Sequence, residues 1–391
     1  MNQFDYGKVK NPEFFRENRL EAHSDHVSYR SHEEQREGKT SLRMSLNGLW
    51  KFSYAPNYES VIKDFEKPEC DCRGWADIRV PAHIQMEGYD APQYANVQYP
   101  WDGREEALPG QIPQRFNPVA SYVKYFEVPE EWKEEPVYIS FQGVESALAL
   151  WCNGSYVGYS EDSFTPSEFD LTPYLKEGEN KLAAQVFKWC SSSWCEDQDF
   201  FRFSGIFRDV YLYTVPGVHI RDMKVQTLLN DSLDQAKLVL ELAATAEGQV
   251  QVKLLEEGRV YRFDKAFRRN EGQITDTRTA AELSAPLQEE TRLVLPVEKP
   301  LLWSAEKPNL YKLVLEVCDG EGRLQEVIPV QVGFRRFEIA DGLMKLNGQR
   351  IVFKGVNRHE FSSRTGRVPN EAELWQDLVT MKQHNINAIR T

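Results

Sequence analysis

The sequence predicts a mainly β protein in which two β-sandwiches are followed by the start of an α/β unit. Three observations support this fold class. Short apolar strand patterns separated by turn residues fill the chain from residue 45 to residue 334. A Pro216-Gly217 break divides these patterns into two series. After residue 335 the pattern changes to strand, helix and strand, which is the opening of a parallel α/β unit.

The first series predicts a jelly-roll sandwich, because its short strands alternate with turns and no long helical period interrupts them. It starts at Ser45–Phe52, and one of its turns carries Asn153-Gly154, a pair typical of two-residue β-hairpin connections. Residues 1–45 are polar and are expected to be irregular. With this N-terminal extension, we place the domain at residues 1–217. Its clearest strands are Val137–Phe141, Ala147–Trp151, Lys181–Phe187 and Asp209–Tyr213.

The second series predicts an immunoglobulin-like sandwich over residues 218–334. About seven short strands in roughly 115 residues are typical of that architecture. The Cys…Trp…Cys signature of antibody domains is absent, so the relation is one of structure only. The strands that the pattern locates are His219–Gln226, Ala236–Leu242, Gln249–Leu255, Arg292–Val297, Tyr311–Val317 and Gln325–Val332.

Residues 335–391 predict the first strand, helix and strand of a (β/α)₈ TIM barrel. A hairpin leads into an apolar strand at Arg350–Asn357, and Asn370 with Glu373 forms a capping-box pattern before a helix. A second strand begins at Asn387. A closed barrel needs about 250 residues, so these about 50 residues predict an incomplete barrel and a chain that stops inside a domain.

Charge and composition exclude several classes of partner. The net charge of −13 argues against binding to nucleic acid or to an anionic membrane surface, which both require basic residues. The N-terminus has no signal-peptide pattern, and no apolar run reaches the length of a membrane span, so a cytoplasmic location is expected. The six cysteines make no CxxC pair, and free thiols in a reducing compartment are the expected state.

Ten short segments form an ordered set of motifs over nearly the whole chain. They are Asn18–His23, Glu87–Pro92, Tyr94–Pro100, Leu150–Gly154, Ser167–Asp170, Glu196–Asp199, Ser204–Asp209, Leu302–Ser304, Pro308–Tyr311 and Gly355–Glu360. In this order they resemble the bacterial, lactase-type β-galactosidases of glycoside hydrolase family 2. The resemblance implies a jelly-roll domain, an immunoglobulin-like domain and a catalytic barrel, which is the order that the strand patterns predict independently.

The resemblance implies retaining hydrolysis of terminal non-reducing β-D-galactosides such as lactose by the full-length protein. Retention requires two carboxyl groups about 5–5.5 Å apart, one as acid/base and one as nucleophile. In the family both are glutamates of later barrel strands, so neither is expected within this chain, and the chain alone is predicted to be inactive. Glu360 and Glu371 lie in a loop and at a helix start, and neither is assigned these roles.

The resemblance assigns part of the sugar site to four residues. Asn96 matches an asparagine that contacts the substrate, although loop asparagines often only cap turns. Asp199 matches a ligand of sodium and of the galactosyl 6-hydroxyl, although an acidic run is often a solvated turn. His359 follows the first barrel strand at its carboxyl end, where barrel active sites lie. Arg390 matches an arginine that orients a catalytic carboxylate, and a buried structural ion pair is an equal alternative.

Two metal ions are implied for the full-length enzyme. Sodium would bind Asp199, with its other ligands beyond Thr391. Magnesium would bind between the N-terminal segment and the jelly roll, where Asn11 and Glu161 could contribute. Lys8 and Ser191 stand where acidic ligands would be expected, so the magnesium site is doubtful.

Two other functions stay open. The chain could be a carbohydrate-binding or structural module without catalysis, but an apolar strand start at its end argues against a self-sufficient module. It could also belong to a sister β-glucuronidase or β-mannosidase. Glucuronate would require a set of basic residues, and the motifs Tyr94–Pro100 and Glu196–Asp199 favour galactose. The resemblance also implies a homo-oligomer.

Overall fold

The computed structural model describes residues 4–260 and 273–391, and its first part is built almost entirely of short strands. The helices there are 3₁₀ turns at Tyr6–Lys10, Tyr58–Ser60, Glu130–Trp132, Thr172–Tyr174 and Ser191–Trp194, and α1 (His32–Glu37). The strands are β1 (Arg16–Glu17), β2 (Arg43–Ser45), β3 (Gly48–Ala55), β4 (Ala76–Val80), β5 (Gln93–Ala95), β6 (Val119–Phe126), β7 (Val137–Phe141), β8 (Val144–Glu145), β9 (Ala147–Cys152), β10 (Ser155–Glu161), β11 (Ser167–Asp170), β12 (Asn180–Phe187), β13 (Phe200–Arg202), β14 (Gly205–Ile206) and β15 (Val210–Thr214).

Two antiparallel sheets form the first sandwich. The larger has the order β1-β10-β9-β12-β6-β3-β4 and the smaller the order β11-β7-β15-β2. Trp50 and Tyr122 of the larger sheet share one buried core with Phe141, Phe169 and Leu212 of the smaller sheet. The order is not sequential along the chain, as a jelly roll requires. Two short ribbons, β5 with β13 and β8 with β14, lie outside these sheets.

The seven-stranded sheet is covered on both faces. Its outer face carries a second buried cluster, in which Val123 and Phe187 of the strands meet Val9, Phe65 and Trp101 from the N-terminal segment and the loops. This covering explains why every residue of β9 and β12 is buried and no alternation of polar residues appears. The first 45 residues, expected to be irregular, therefore include ordered elements that contribute to a core.

The second sandwich contains seven strands in two antiparallel sheets. Their orders are β16-β17-β20 and β19-β18-β21-β22, and one apolar cluster fills the space between them. Six of the seven were located from the sequence pattern. The exception is β19, an edge strand whose Ala281–Leu287 part alternates between more buried and exposed residues but contains alanines and a proline, which are weak strand formers. The strands are β16 (Ile220–Leu229), β17 (Gln235–Ala244), β18 (Gly248–Val260), β19 (Gln273–Leu287), β20 (Glu290–Glu298), β21 (Tyr311–Cys318) and β22 (Leu324–Val332).

The last part contains a small antiparallel sheet and a parallel strand pair joined through a helix. Asn370 Oδ1 accepts from Glu373 N at 3.0 Å, and Glu373 Oε2 accepts from Asn370 N at 3.3 Å, so the predicted capping box is formed. The predicted strand Arg350–Asn357 is corrected, because only its two ends are strands and they belong to different sheets. The elements are β23 (Phe337–Ala340), β24 (Leu343–Leu346), β25 (Gln349–Arg350), β26 (Gly355–Asn357), α2 (Glu371–Gln383) and β27 (Ala388–Arg390).

The described residues group into two compact units. One combines the N-terminal segment up to Ala22 with Arg43–Thr214 and His359–Leu374. The other combines His23–Leu42, Val215–Arg358 and Trp375–Thr391. The segment that follows β26 thus packs with the first sandwich, although it comes late in the chain. No helix in the described part of the chain has the length and apolar character needed to cross a membrane.

Candidate functional site

The β5–β13 ribbon brings two of the predicted site residues together. The strands pair antiparallel, with Ala95 opposite Phe200 and Tyr94 opposite Phe201. Asn96 follows Ala95 and Asp199 precedes Phe200, so both residues lie at the same end of the antiparallel ribbon. Both side chains are exposed, so both are available to a ligand.

Asp199 and Asn96 each have one local hydrogen bond. The Tyr94 hydroxyl donates to Asp199 Oδ1, and this bond raises the pKa of Tyr94 because it favours the protonated phenol. Asn96 Oδ1 accepts from Val97 N at 2.7 Å, which is the turn-capping contact that a loop asparagine often makes. The amide nitrogen of Asn96 and the second oxygen of Asp199 complete a donor and acceptor pair of the kind that sugar hydroxyls require.

His359 lies against the same ribbon. Its ring packs on Phe200 with 4.5 Å between the ring centroids, and the side chain remains exposed. Phe361 stacks on Phe201 at 5.5 Å, which fixes the segment that carries His359 to the ribbon. Asp199 and His359 are thus joined through Phe200, the residue that follows Asp199 in the chain.

Arg390 belongs to the other compact unit. It ends β27, where it is paired in register with Asn357, and its carbonyl accepts from Arg358 N at 2.9 Å. The side chain is exposed. The structure therefore shows Arg390 only at the end of this strand, and both roles considered for it, orienting a carboxylate or forming an ion pair, stay predictions.

A partly buried charged cluster, made of Glu145, Glu196, Arg202 and Arg367, lies in the first unit and lines a cavity of about 20 Å³. Burial raises the pKa of Glu145 and of Glu196. Glu196 accepts from the amide and hydroxyl of Ser163 at 2.8 and 2.7 Å. A cavity of this size holds about one water molecule.

His83 lies beside this cluster in a fully buried aromatic stack. Its ring is sandwiched by Phe203 at 4.4 Å and Phe207 at 5.1 Å. Its Nδ1 is 4.0 Å from Glu145 Oε2. Burial lowers the pKa of His83 to about 3, while burial raises that of Glu145, so at neutral pH the histidine is neutral and the contact is not an ion pair.

The motif resemblance included Tyr94 and Glu196 in matching segments without giving either a role, and it did not include His83, Glu145 or Arg367. Tyr94, Glu145 and Glu196 each belong to, or adjoin, a segment rich in strand-forming or acidic residues, and nothing in their spacing marks them. The signal that could have identified Arg367 is its place between Gly366 and Pro369, in the loop that follows the first barrel strand.

The residues proposed for magnesium do not form an oxygen cage. Glu161 is buried, and its carboxylate accepts from Tyr159 Oη at 2.7 Å, Ser191 Oγ at 2.9 Å and Ser192 N at 2.8 Å. Burial also raises the pKa of Glu161, which disfavours the ionised form that a metal needs. Asn11 Oδ1 accepts from Glu13 N at 3.0 Å, and Lys8 pairs with Glu17. These donors already use the oxygens, so the residues present do not fit magnesium.

Sodium is compatible with Asp199 only as one ligand among several. An alkali cation requires further oxygen ligands around that carboxylate. Within residues 4–260 and 273–391, no three His, Cys, Asp or Glu side chains cluster in a way that could hold a metal ion.

Comparison with known proteins gives three consecutive matches to one family. Residues 43–216 match the sugar binding domain of glycosyl hydrolases family 2, residues 218–335 match a further domain of that family, and residues 337–391 match its TIM barrel domain. The mainly β architecture and the strand–helix–strand that follows it agree with these matches, so the predicted fold class is confirmed.

Relatives and solved structures agree on the fold. The chain is 50% identical over 383 residues to a β-galactosidase of Halalkalibacterium halodurans, covering 96% of this chain and 36% of that protein. It is 49% identical over 385 residues to a β-galactosidase of Clostridium acetobutylicum, covering 98% and 41%. A β-glucuronidase of Ruminococcus gnavus in complex with D-glucuronic acid superposes with a TM-score of 0.66 at 20% identity, covering 90% of this chain and 56% of that one. The chain thus spans well under half the length of these two β-galactosidases.

Proposed function

Because the chain belongs to glycosyl hydrolases family 2, we propose that it supplies part of the galactosyl site of a β-galactosidase. The whole protein would hydrolyse terminal non-reducing β-D-galactosides such as lactose, with retention of configuration. One arrangement supports this most directly. Asn96 and Asp199 lie at the same end of the β5–β13 ribbon, next to its last paired residues Ala95 and Phe200, and His359 packs on Phe200.

Each residue has a distinct role in this proposal. The Asp199 carboxylate accepts a hydrogen bond from the galactosyl 6-hydroxyl, and the Asn96 amide donates to or accepts from another hydroxyl. His359 donates to a sugar hydroxyl in the transition state, when that bond strengthens. Arg390 orients a catalytic carboxylate through its fork of donors. Sodium at Asp199 would supply a positive charge that holds the 6-hydroxyl.

Bond cleavage is assigned outside this chain. The acid/base and the nucleophile of a retaining enzyme must lie about 5–5.5 Å apart, and the proposal places both glutamates in later barrel strands. The 391-residue chain is therefore expected to be inactive toward o-nitrophenyl β-D-galactoside at high protein concentration. Turnover that persists through repurification and follows the folded chain would contradict this assignment.

Galactose binding by this chain tests the site itself. We expect Asp199→Asn to weaken the saturation-transfer signal of methyl β-D-galactoside, because a neutral amide is a weaker acceptor than a carboxylate. Asp77→Asn is the matched control, since Asp77 is also exposed and also has one partner, Lys51. Methyl β-D-glucuronide should give no signal, because its carboxylate would face that of Asp199. A signal equal in both variants, or stronger with the glucuronide, would reject the galactosyl site.

Activity of the whole protein is a separate measurement. It should cleave o-nitrophenyl β-D-galactoside, and the matching β-glucuronide and β-mannoside should be poor substrates. A preference for either of those two glycosides would replace the proposal by a sister activity of the family.

The proposal includes the domain boundaries at residues 217 and 334, a cytoplasmic location and a homo-oligomeric whole protein. The boundaries are supported by the separate cores of the two sandwiches. Limited proteolysis should cut near residue 216 or after residue 340, and a single resistant core without such cuts would contradict them.

A further inference from the structure

The segment after β26 is seated on the first sandwich by a tight turn. Ser362 and Gly366 exchange backbone hydrogen bonds of 2.7 and 2.9 Å. Gly366 has a φ of +68°, and a Cβ built on it would lie 2.7 Å from Cδ2 of the buried His83. Only glycine suits both the conformation and the contact, so the turn rests directly on the aromatic stack around His83.

Arg367, the next residue, inserts its guanidinium between two aromatic rings. The guanidinium carbon is 4.9 Å from the ring centroid of Phe164 and 4.6 Å from that of Phe200. Nη2 donates to Gln198 Oε1 at 3.0 Å. A planar guanidinium can stack on both rings and donate in its own plane at once, which an ammonium group cannot do.

Two acidic side chains balance the charge of Arg367. Glu145 and Glu196 line the same small cavity as its guanidinium. Burial lowers the pKa of Arg367, and the two carboxylates oppose that effect. The arginine is thus held by stacking on two rings and by a hydrogen bond to Gln198, with the two carboxylates near its guanidinium.

These contacts reach both neighbours of Asp199. Gln198 precedes Asp199, and Phe200 follows it. Phe200 is also the ring on which His359 packs. A single side chain therefore contacts the Gln198 side chain, next to Asp199, and the ring that supports His359, and it belongs to the same loop as His359.

We propose that Arg367 is a positioning residue that fixes His359 relative to Asp199 by clamping Gln198 and Phe200. This inference rests on the proposed galactosyl site for its purpose, and on contacts independent of any sugar for its geometry. Arg367 touches no substrate in this proposal. It acts through Phe200 and Gln198, so its loss alters the place of His359 while leaving the imidazole itself intact.

The test follows the His359 ring by NMR in the whole 391-residue chain with ¹³C-labelled histidine. The chain has seven histidines, and His359→Asn identifies the signal. Arg367→Ala should move the His359 Cε1–H signal toward that of a solvent-exposed histidine, because the ring-current effect of Phe200 is lost. Arg367→Lys keeps the positive charge but lacks the planar guanidinium, so it should move the His359 signal part of the way. Arg43→Ala is the matched control, since Arg43 stacks on Tyr211 at 4.8 Å in the same unit.

Sugar binding supplies the second readout. Titration with methyl 1-thio-β-D-galactoside should give about tenfold weaker binding for Arg367→Ala than for the parent, about the loss expected when a displaced His359 no longer makes one hydrogen bond to the sugar. Arg43→Ala should bind as the parent does. If Arg367→Ala is poorly folded, the His359 signals of Arg367→Lys and Gln198→Ala test the positioning role instead.

The two hypotheses fail in different ways. A His359 signal that stays in place in folded Arg367→Lys and Arg367→Ala, while their melting temperatures fall, overturns the positioning role and leaves a purely structural one. If the His359 signal moves in the Arg367 variants, but the histidine signals of the parent chain do not respond to the thiogalactoside, the positioning role is supported and the galactosyl site is not.

Discussion

Gly366→Ala should detach or strain the turn that seats the His359 segment on the first sandwich. Two costs combine at this position. A left-handed backbone costs an alanine about 1–2 kcal/mol. The new methyl group would lie 2.7 Å from the ring of His83, which is fully buried between two aromatic rings, and overpacking of such a site costs about 1–3 kcal/mol more. We therefore expect a destabilisation of about 2–5 kcal/mol.

Gly178→Ala separates the two costs. Gly178 has a φ of +75° in the same unit, and a Cβ there would meet nothing within 4 Å. Its substitution should cost about 1–2 kcal/mol from the backbone alone. Urea unfolding gives the difference between the variants, and hydrogen exchange at Ser362 and Gly366 shows whether the turn opens locally. Equal stabilities in the two variants, with unchanged protection of those two amides, would refute the argument that the turn is tightly seated.

Three other measurements test the packing. Cys195 is exposed and should react first with a thiol reagent at pH 8. Burial raises the pKa of Cys72 to about 11 and should keep this thiol unreactive. A fast phase of thiol labelling that persists in Cys195→Ser would contradict this expectation. The pKa of His83 falls from 6.5 to about 3 on folding, so the unfolded chain binds the proton first and stability should decrease as pH falls from about 6.5 toward 3, by up to about 1.4 kcal/mol per unit. His83→Phe should remove that part of the slope, and an unchanged slope would exclude His83 as its cause. Amides 355–357, in a strand with one paired neighbour, should exchange much faster than amides 182–186, in a strand paired on both sides; comparable protection in a dilute monomeric sample would show that the pair is stable alone.

Local patterns explain which elements could be predicted. The capping box of Asn370 and Glu373 depends on residues three positions apart, and the structure forms both of its hydrogen bonds. Five strands of the first sandwich and six of the second were located, because a short apolar run bounded by turn residues favours a strand over a helix, which needs a longer segment. The edge strand β19 was missed because the alternating part of it, Ala281–Leu287, contains alanines and a proline, which are weak strand formers.

Contacts between distant segments explain what could not be predicted. The run Arg350–Asn357 is apolar and continuous, but Arg350 pairs with Lys345 and Gly355 pairs with Ala388. Because the two ends of this run pair with strands of different sheets, the residues between them do not belong to one continuous strand. Periodicity records the preference of a segment for strand, and the partners decide where the strand stops.

The candidate site shows the same division between local and distant information. A motif resemblance could select Asn96, Asp199 and His359 one at a time, because each lies in a short matching segment. Their mutual position depends on the β5–β13 register and on Phe200, which no segment encodes alone. Arg367 could be predicted from neither source. It is an arginine in a polar loop until folding brings the rings of Phe164 and Phe200 within 5 Å of its guanidinium carbon, and the energy of those contacts depends on desolvation that a sequence pattern does not record.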